Sequence, residues 1–179
     1  RYRRKNSSGN IKPQLIDKPI YNDTCAVSRI KGELMNKSEF INKIVGTQWV
    51  NRAYGFDGCD CFGLVYLYFY HVKNTMVKLT DEYLKNKNFS VAFQSQLDEG
   101  EWVKVDKPTG EEVVFMCYAG DVPMHCGVMI DRTRILHAFG TVDNPRQVTV
   151  WTVKQMLKNL RRYYKMDELP RMEFYKWQS

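Results

Sequence analysis

The stretch GCDCFGLVYLYFYH, residues 58–71, sets two cysteines one residue apart and then runs apolar and aromatic almost without a break. A buried strand and a buried helix both fit such a run. Its length and the Gly58-Cys59-Asp60 lead favour a helix, and Asp60 is a residue type that caps helix N-termini. That reading puts Cys61 where a loop becomes a helix. A cysteine reacts through its thiolate, which a helix N-terminus and a nearby imidazolium both stabilise. Cys61 is therefore the candidate nucleophile, and its base must be a histidine brought close by the fold.

The chain has three histidines. His71 lies on the same predicted helix, ten positions and about 15 Å of rise from Cys61, out of reach. His125 and His137 belong to two predicted strands, HCGVMI and ILHAF, joined by DRTR. A loop centred on Asp131 sets the two histidines directly opposite on one face, with Cβ atoms about 5 Å apart. A two-residue turn at Arg132-Thr133 sends them to opposite faces. The first register supplies a nucleophile, a base and an orienting group; the second leaves one histidine alone. The sequence leaves both open.

Outside this region the chain reads as an α+β domain behind a polar lead. Residues 1–31 form a basic arm or linker, with loop chemistry in NSSGN and IKPQ, and the compact domain occupies 32–179. NKSEFINKIVG is a short amphipathic helix with Ser38 as its cap, and Thr80 caps a second helical region over DEYLKNKNFSVAFQSQL. EWVKV, EEVVFMCY, HCGVMI, RILHAF, RQVTVWTV, RRYYKM and MEFYKW read as strands, with TVKQMLKNL a helix among them. Helices packed on a central antiparallel sheet of about five or six strands follow from that order.

Composition narrows the classes. At 179 residues, with 44% hydrophobic and 26% charged, the chain sustains one core and is not disordered throughout. The five cysteines, Cys25, Cys59, Cys61, Cys117 and Cys126, cannot all pair within one chain, and a domain of this size needs no disulfide staples. No stretch approaches the apolar length of a membrane span, so stable membrane insertion is not expected. RYRRKNSSGN has the charge of a signal peptide's start with no apolar segment behind it and no initiating Met, which reads as a processed product or fragment. A net charge of +7 favours an anionic partner.

DCFGLV followed by HCGVMIDRTRILHAF resembles the NlpC family of papain-like cell-wall cysteine peptidases. GTQWVNRAYGFDGCDCFGLV is most similar to the branch found in tail proteins of long-tailed phages. The resemblance runs from about Glu39 to Tyr164 and implies a papain-like fold. It implies Cys61 as nucleophile, His125 as base and His137 as the orienting residue. Trp49 falls where many members carry a Tyr that polarises the substrate carbonyl; an indole N–H can donate there but cannot act as an acid. Asp60 belongs with Trp49 to the oxyanion and substrate-binding side of the site. TGEEVVFM resembles the family's Gly-Asp-hydrophobic strand, with Glu111 in place of Asp. The nucleophile precedes the base, as in unpermuted members, which argues against an acyltransferase or lipid hydrolase.

The implied activity is hydrolysis of stem-peptide bonds in bacterial peptidoglycan, most often D-glutamate to diaminopimelate, with no cofactor. The implied setting is a phage tail tip in the virion, beside other tail-tip proteins, acting at the bacterial wall or periplasm. The alternative is a structural tail-tip subunit that keeps the fold and lost the activity. Two rivals are weaker. Cys59, Cys61, His125 and Cys126 offer zinc-ligand types, but Cys-x-Cys is not the usual spacing and His125-Cys126 splits across strand faces, so no metal is expected. RYRRK and LRRYYK mix cations with aromatics, yet read as solvated surface rather than a specific nucleic-acid site.

Overall fold

The computed structural model describes residues 34–79, 89–108 and 113–178. The expected arm over 1–31, the Thr80 cap and Glu111 lie outside the described residues.

Helix α1 spans Lys37–Ile44 and buries Phe40 and Ile44. Its cap is Asn36, not Ser38. Asn36 accepts from the Glu39 N–H at 3.0 Å while the Glu39 carboxylate accepts from the Asn36 N–H at 3.0 Å. The reciprocal pair needs an acidic residue three positions on, which Asn36 has and Ser38 lacks. Helix α2 spans Cys61–Lys73, capped by Asp60 at the start and by left-handed Asn74 at the end. Phe62, Leu64, Val65, Leu67, Tyr68 and Phe69 are all buried, so this helix is apolar nearly all round and sits in the core. Helix α3 spans Phe89–Asp98. Its Gln96 is fully buried and accepts from the Trp102 indole at 2.8 Å, so the buried amide is satisfied.

Six strands follow, β1 (Trp102–Val105), β2 (Val113–Ala119), β3 (Val122–Met129), β4 (Arg134–Ala138), β5 (Val148–Thr152) and β6 (Arg171–Trp177). They form one antiparallel sheet in the order β1-β6-β2-β3-β4-β5. Val114, Met116, Cys126, Val128 and Leu136 face the core shared with α1, α2 and α3. Phe115, Cys117, Met129, Ile135 and Phe139 face helix α4 (Val153–Tyr163), which buries Met156 and Leu160. The expected strand over RRYYKM is not formed. Met156, Leu160 and Tyr163 continue one helical stripe against the sheet, and α4 absorbs Arg161 and Arg162 before Tyr164 caps it.

The β3–β4 hairpin departs from both expected registers. Val128 pairs with Leu136 and Met129 with Ile135, closing a three-residue loop, Asp131 to Thr133. The Asp131 carboxylate builds that loop, accepting from the Thr133 N–H at 2.8 Å, the Arg134 N–H at 2.7 Å and Arg134 Nε at 2.6 Å. These donors hold its carboxyl well below the usual range. In this register His125 and His137 share a face as diagonal neighbours rather than directly opposite, a separation that ring side chains still bridge.

Gly63 marks where helix and loop meet. A Cβ there would lie 2.0 Å from the Ala53 carbonyl oxygen, which is backbone and has no side-chain freedom to give. Gly63→Ala is expected to cost about 2–3 kcal/mol of stability by overpacking, read as a lower denaturant midpoint at unchanged slope.

Candidate active site

Asp60 builds the start of α2. One carboxylate oxygen accepts from the Gly63 N–H at 2.8 Å, the other from the Arg52 N–H at 2.9 Å, and the Asp60 N–H donates to the Ala53 carbonyl at 3.0 Å. Loop 50–54 is thereby tied to the first turn of the helix, with Arg52 at a left-handed φ of 60°. Among the described residues the Cys61 N–H has no acceptor, so the helix start leaves a donor beside the thiol.

Cys61 is half-buried at this N-terminus, and it meets β3 at His125 and Cys126, beyond the last β3–β4 pair. Its pKa is pulled well below 9.0. The Cys126 thiol, hydrogen-bonded to the sulfur, is the largest cause. Burial opposes it; the His125 hydrogen bond, the His125 charge and the Cys126 N–H add to the lowering. Cys126 is pushed the other way, by burial and by serving as the donor to Cys61. Cys59, two residues before Cys61, is fully buried and rises to about 12 through burial, then Asp60 and Cys61. Burial likewise raises Cys117. One thiol of the four described is therefore poised to ionise.

His125 and His137 are brought together as the first register required, though by the diagonal route. His125 Nε2 lies 3.1 Å from His137 Nδ1, with the rings perpendicular and both residues buried. That contact leaves His125 Nδ1 for the thiol. Burial, then the His125 charge, pulls the His137 pKa well below 6.5, so His137 stays neutral. A neutral ring that accepts at Nδ1 carries its proton on Nε2, and that nitrogen is buried without a partner among the described residues. Trp151 at 4.4 Å and Phe139 at 5.9 Å between centroids hold the His137 ring in place.

Trp49 is half-buried on a segment that bridges the loop before α2 to the chain entering β5. Its backbone pairs with Cys59, its N–H donates to the Arg146 carbonyl at 2.7 Å, and its ring packs on Gly140. No acceptor takes its indole N–H among the described residues. His71 sits in the last turn of α2 against Phe40 and Phe56, at the opposite end of the helix from Cys61. Cys126, which the sequence offered only as a zinc-ligand type, is the contact to Cys61 that the sequence did not reveal. Its only signal was its position next to His125.

Among the described residues no three His, Cys, Asp or Glu side chains gather as a metal site, and no helix is long and apolar enough to cross a membrane. No protein-family model matches the chain, and no curated protein matches it significantly. Among solved structures, the crystal structure of the NlpC/p60 domain of the peptidoglycan hydrolase SagA is similar to it. The TM-score is 0.46 at 12% identity, over 76% of this chain and 92% of that one. A likeness at this level carries no argument about family or activity.

Two outcomes test the electrostatics. Alkylation of Cys61 by iodoacetamide should have a pH midpoint well below 9.0, and both Cys126→Ala and His125→Ala should move it upward. His137 should make stability fall in acid. The unfolded chain binds a proton below about pH 6.5 and the folded chain does not, so stability is present above that pH and declines beneath it. Relative to His137→Gln, the wild type should lose at most about 1.4 kcal/mol per pH unit there, measured by chemical denaturation.

Proposed function

We propose that this chain is a cysteine peptidase that hydrolyses peptide bonds in the stem peptides of bacterial peptidoglycan. The carrying observation is the line from the helix start through Cys61 to His125 and on to His137, with 3.1 Å between the imidazoles. The motif resemblance supplies the substrate and the setting, with residues 32–179 as the peptidase domain; residues 1–31, which the resemblance does not cover, are read as a basic arm or linker. The net charge of +7 suits a wall polymer rich in free carboxylates. By the same resemblance the setting is a phage tail tip, where wall cleavage would open a path for genome entry.

The chemistry draws on two side chains, one backbone N–H and water. The Cys61 thiolate attacks the carbonyl carbon, and the C–N bond breaks after a tetrahedral intermediate whose oxyanion faces the Cys61 N–H. His125, protonated when the thiol ionises, gives that proton to the leaving amine. The thioester then yields to water, with His125 taking a proton from it and the thiolate leaving. His137 accepts from His125 Nε2–H throughout, which holds the base with Nδ1 toward the sulfur. Asp60 acts through the loop and helix that it joins.

Purified sacculi incubated with wild type should release new stem-peptide fragments, identified by mass spectrometry, and Cys61→Ala should release none. Fragment masses name the bond. Binding of sacculi by both proteins without release by either would leave the structural-subunit reading in its place. Equal release by both would remove Cys61 as the nucleophile.

A further inference from the structure

Behind the histidine pair, on the α4 side of the sheet, lies a cavity of about 420 Å³ lined by Phe139, Arg146, Trp151, Asn159, Arg162 and Tyr163. Its aromatic wall is the wall of the candidate site. The Phe139 centroid is 6.2 Å from His125, and Trp151 packs on His137. Its polar lining is two guanidinium groups and one amide. Among the described residues neither Arg146 nor Arg162 meets a carboxylate.

The cavity is held in shape before any ligand arrives. Arg146 lies over the Phe139 ring at 5.7 Å and the Tyr163 ring at 6.0 Å. Loop 139–147 closes on itself through Thr141 and Asn144, and the Thr141 hydroxyl is 3.1 Å from the Tyr163 hydroxyl. The Arg146 carbonyl receives the Trp49 N–H, so one loop residue spans from the segment beside the nucleophile loop to the cavity.

Two guanidinium forks that meet no carboxylate among the described residues, one of them over two aromatic rings, match a carboxylate carried on a short apolar stem. A nucleic acid fits less well, because the Phe139 and Tyr163 faces that bases would stack on are already covered by Arg146. We propose that this cavity is a carboxylate-recognition site, in which Arg146 and Arg162 take an acidic group of the peptide whose scissile bond lies at Cys61. The identity of the ligand as a peptide rests on the peptidase reading above.

The test uses the Cys61→Ala chain, so that binding is read without turnover. The probes are N-acetyl-L-alanyl-D-glutamic acid γ-methylamide, whose α-carboxylate is its one acidic group, and the same dipeptide with that carboxyl converted to its amide. By calorimetry the acid should bind at least about tenfold more tightly than the amide. Arg162→Gln and Arg146→Gln should each erase that preference. The lysine variants Arg162→Lys and Arg146→Lys should lose most of it, since an ammonium keeps the charge without the fork. Arg162 has no ring beneath it, so its variants stay informative if Arg146 substitution loosens the loop.

Equal affinity for acid and amide would overturn the site. So would full preference in the lysine variants, or tighter binding of a single-stranded oligonucleotide through the same arginines. A chain that prefers the acid but releases nothing from sacculi loses the peptidase reading and keeps this site. One that cleaves sacculi with KM and kcat unchanged in the arginine variants keeps the peptidase reading and loses the site.

Discussion

Asp60 binds loop to helix with both carboxylate oxygens, one on the Gly63 N–H and one on the Arg52 N–H. Each bond satisfies a backbone donor that would otherwise be orphaned near a buried helix end. Together they place the sulfur of the next residue. Gly63 makes the arrangement sterically possible, because the Ala53 carbonyl occupies the space that a side chain would need. The apolar body of α2 then anchors this start against the sheet, so the position of Cys61 is set by burial of the helix and by the cap at its mouth.

Two cysteines two positions apart show how sharply that geometry acts. Cys59 lies before the cap, fully buried, with the Asp60 charge beside it, and its thiol is pushed up to about 12. Cys61 lies after the cap, where donors from Cys126 and His125 converge, and its thiol is pulled down. The same carboxylate that discourages one thiolate organises the turn that exposes the other to helix-end donors. The His125–His137 contact works alongside. Burial keeps His137 neutral, so it accepts a hydrogen bond without adding a second positive charge to a tight space.

The basic character of the chain has a local expression as well. Charge spread over a surface attracts an anionic polymer over distances of about a Debye length and selects little. In the proposed carboxylate site, Arg146, held over two rings on a loop closed on itself, selects by geometry together with Arg162 at the same cavity. Loop 139–147 and the end of α4 therefore join the candidate site to its surroundings, although neither carries a reacting group.

Much of the architecture was legible in local pattern. The apolar run after Asp60 announced a buried helix with Cys61 at its start, and most strands showed as short β-branched segments between turns. Such signals are local, because a cap, a period or a turn residue acts within a few positions. The diagonal His125–His137 pair was not legible, because a hairpin register changes face with every residue of loop length, and the donors gathered by Asp131 chose a loop that neither expected register contained. RRYYKM alternates like a strand, yet the stripe through Met156, Leu160 and Tyr163 gained more by packing on the sheet as helix. Sequence by itself determined the candidate residues, Cys61, His125 and His137, and most of the segments that are helix or strand. Tertiary structure decided which of them meet, since Cys126 on Cys61 and the arginine pair at one cavity depend on packing between segments far apart in the chain.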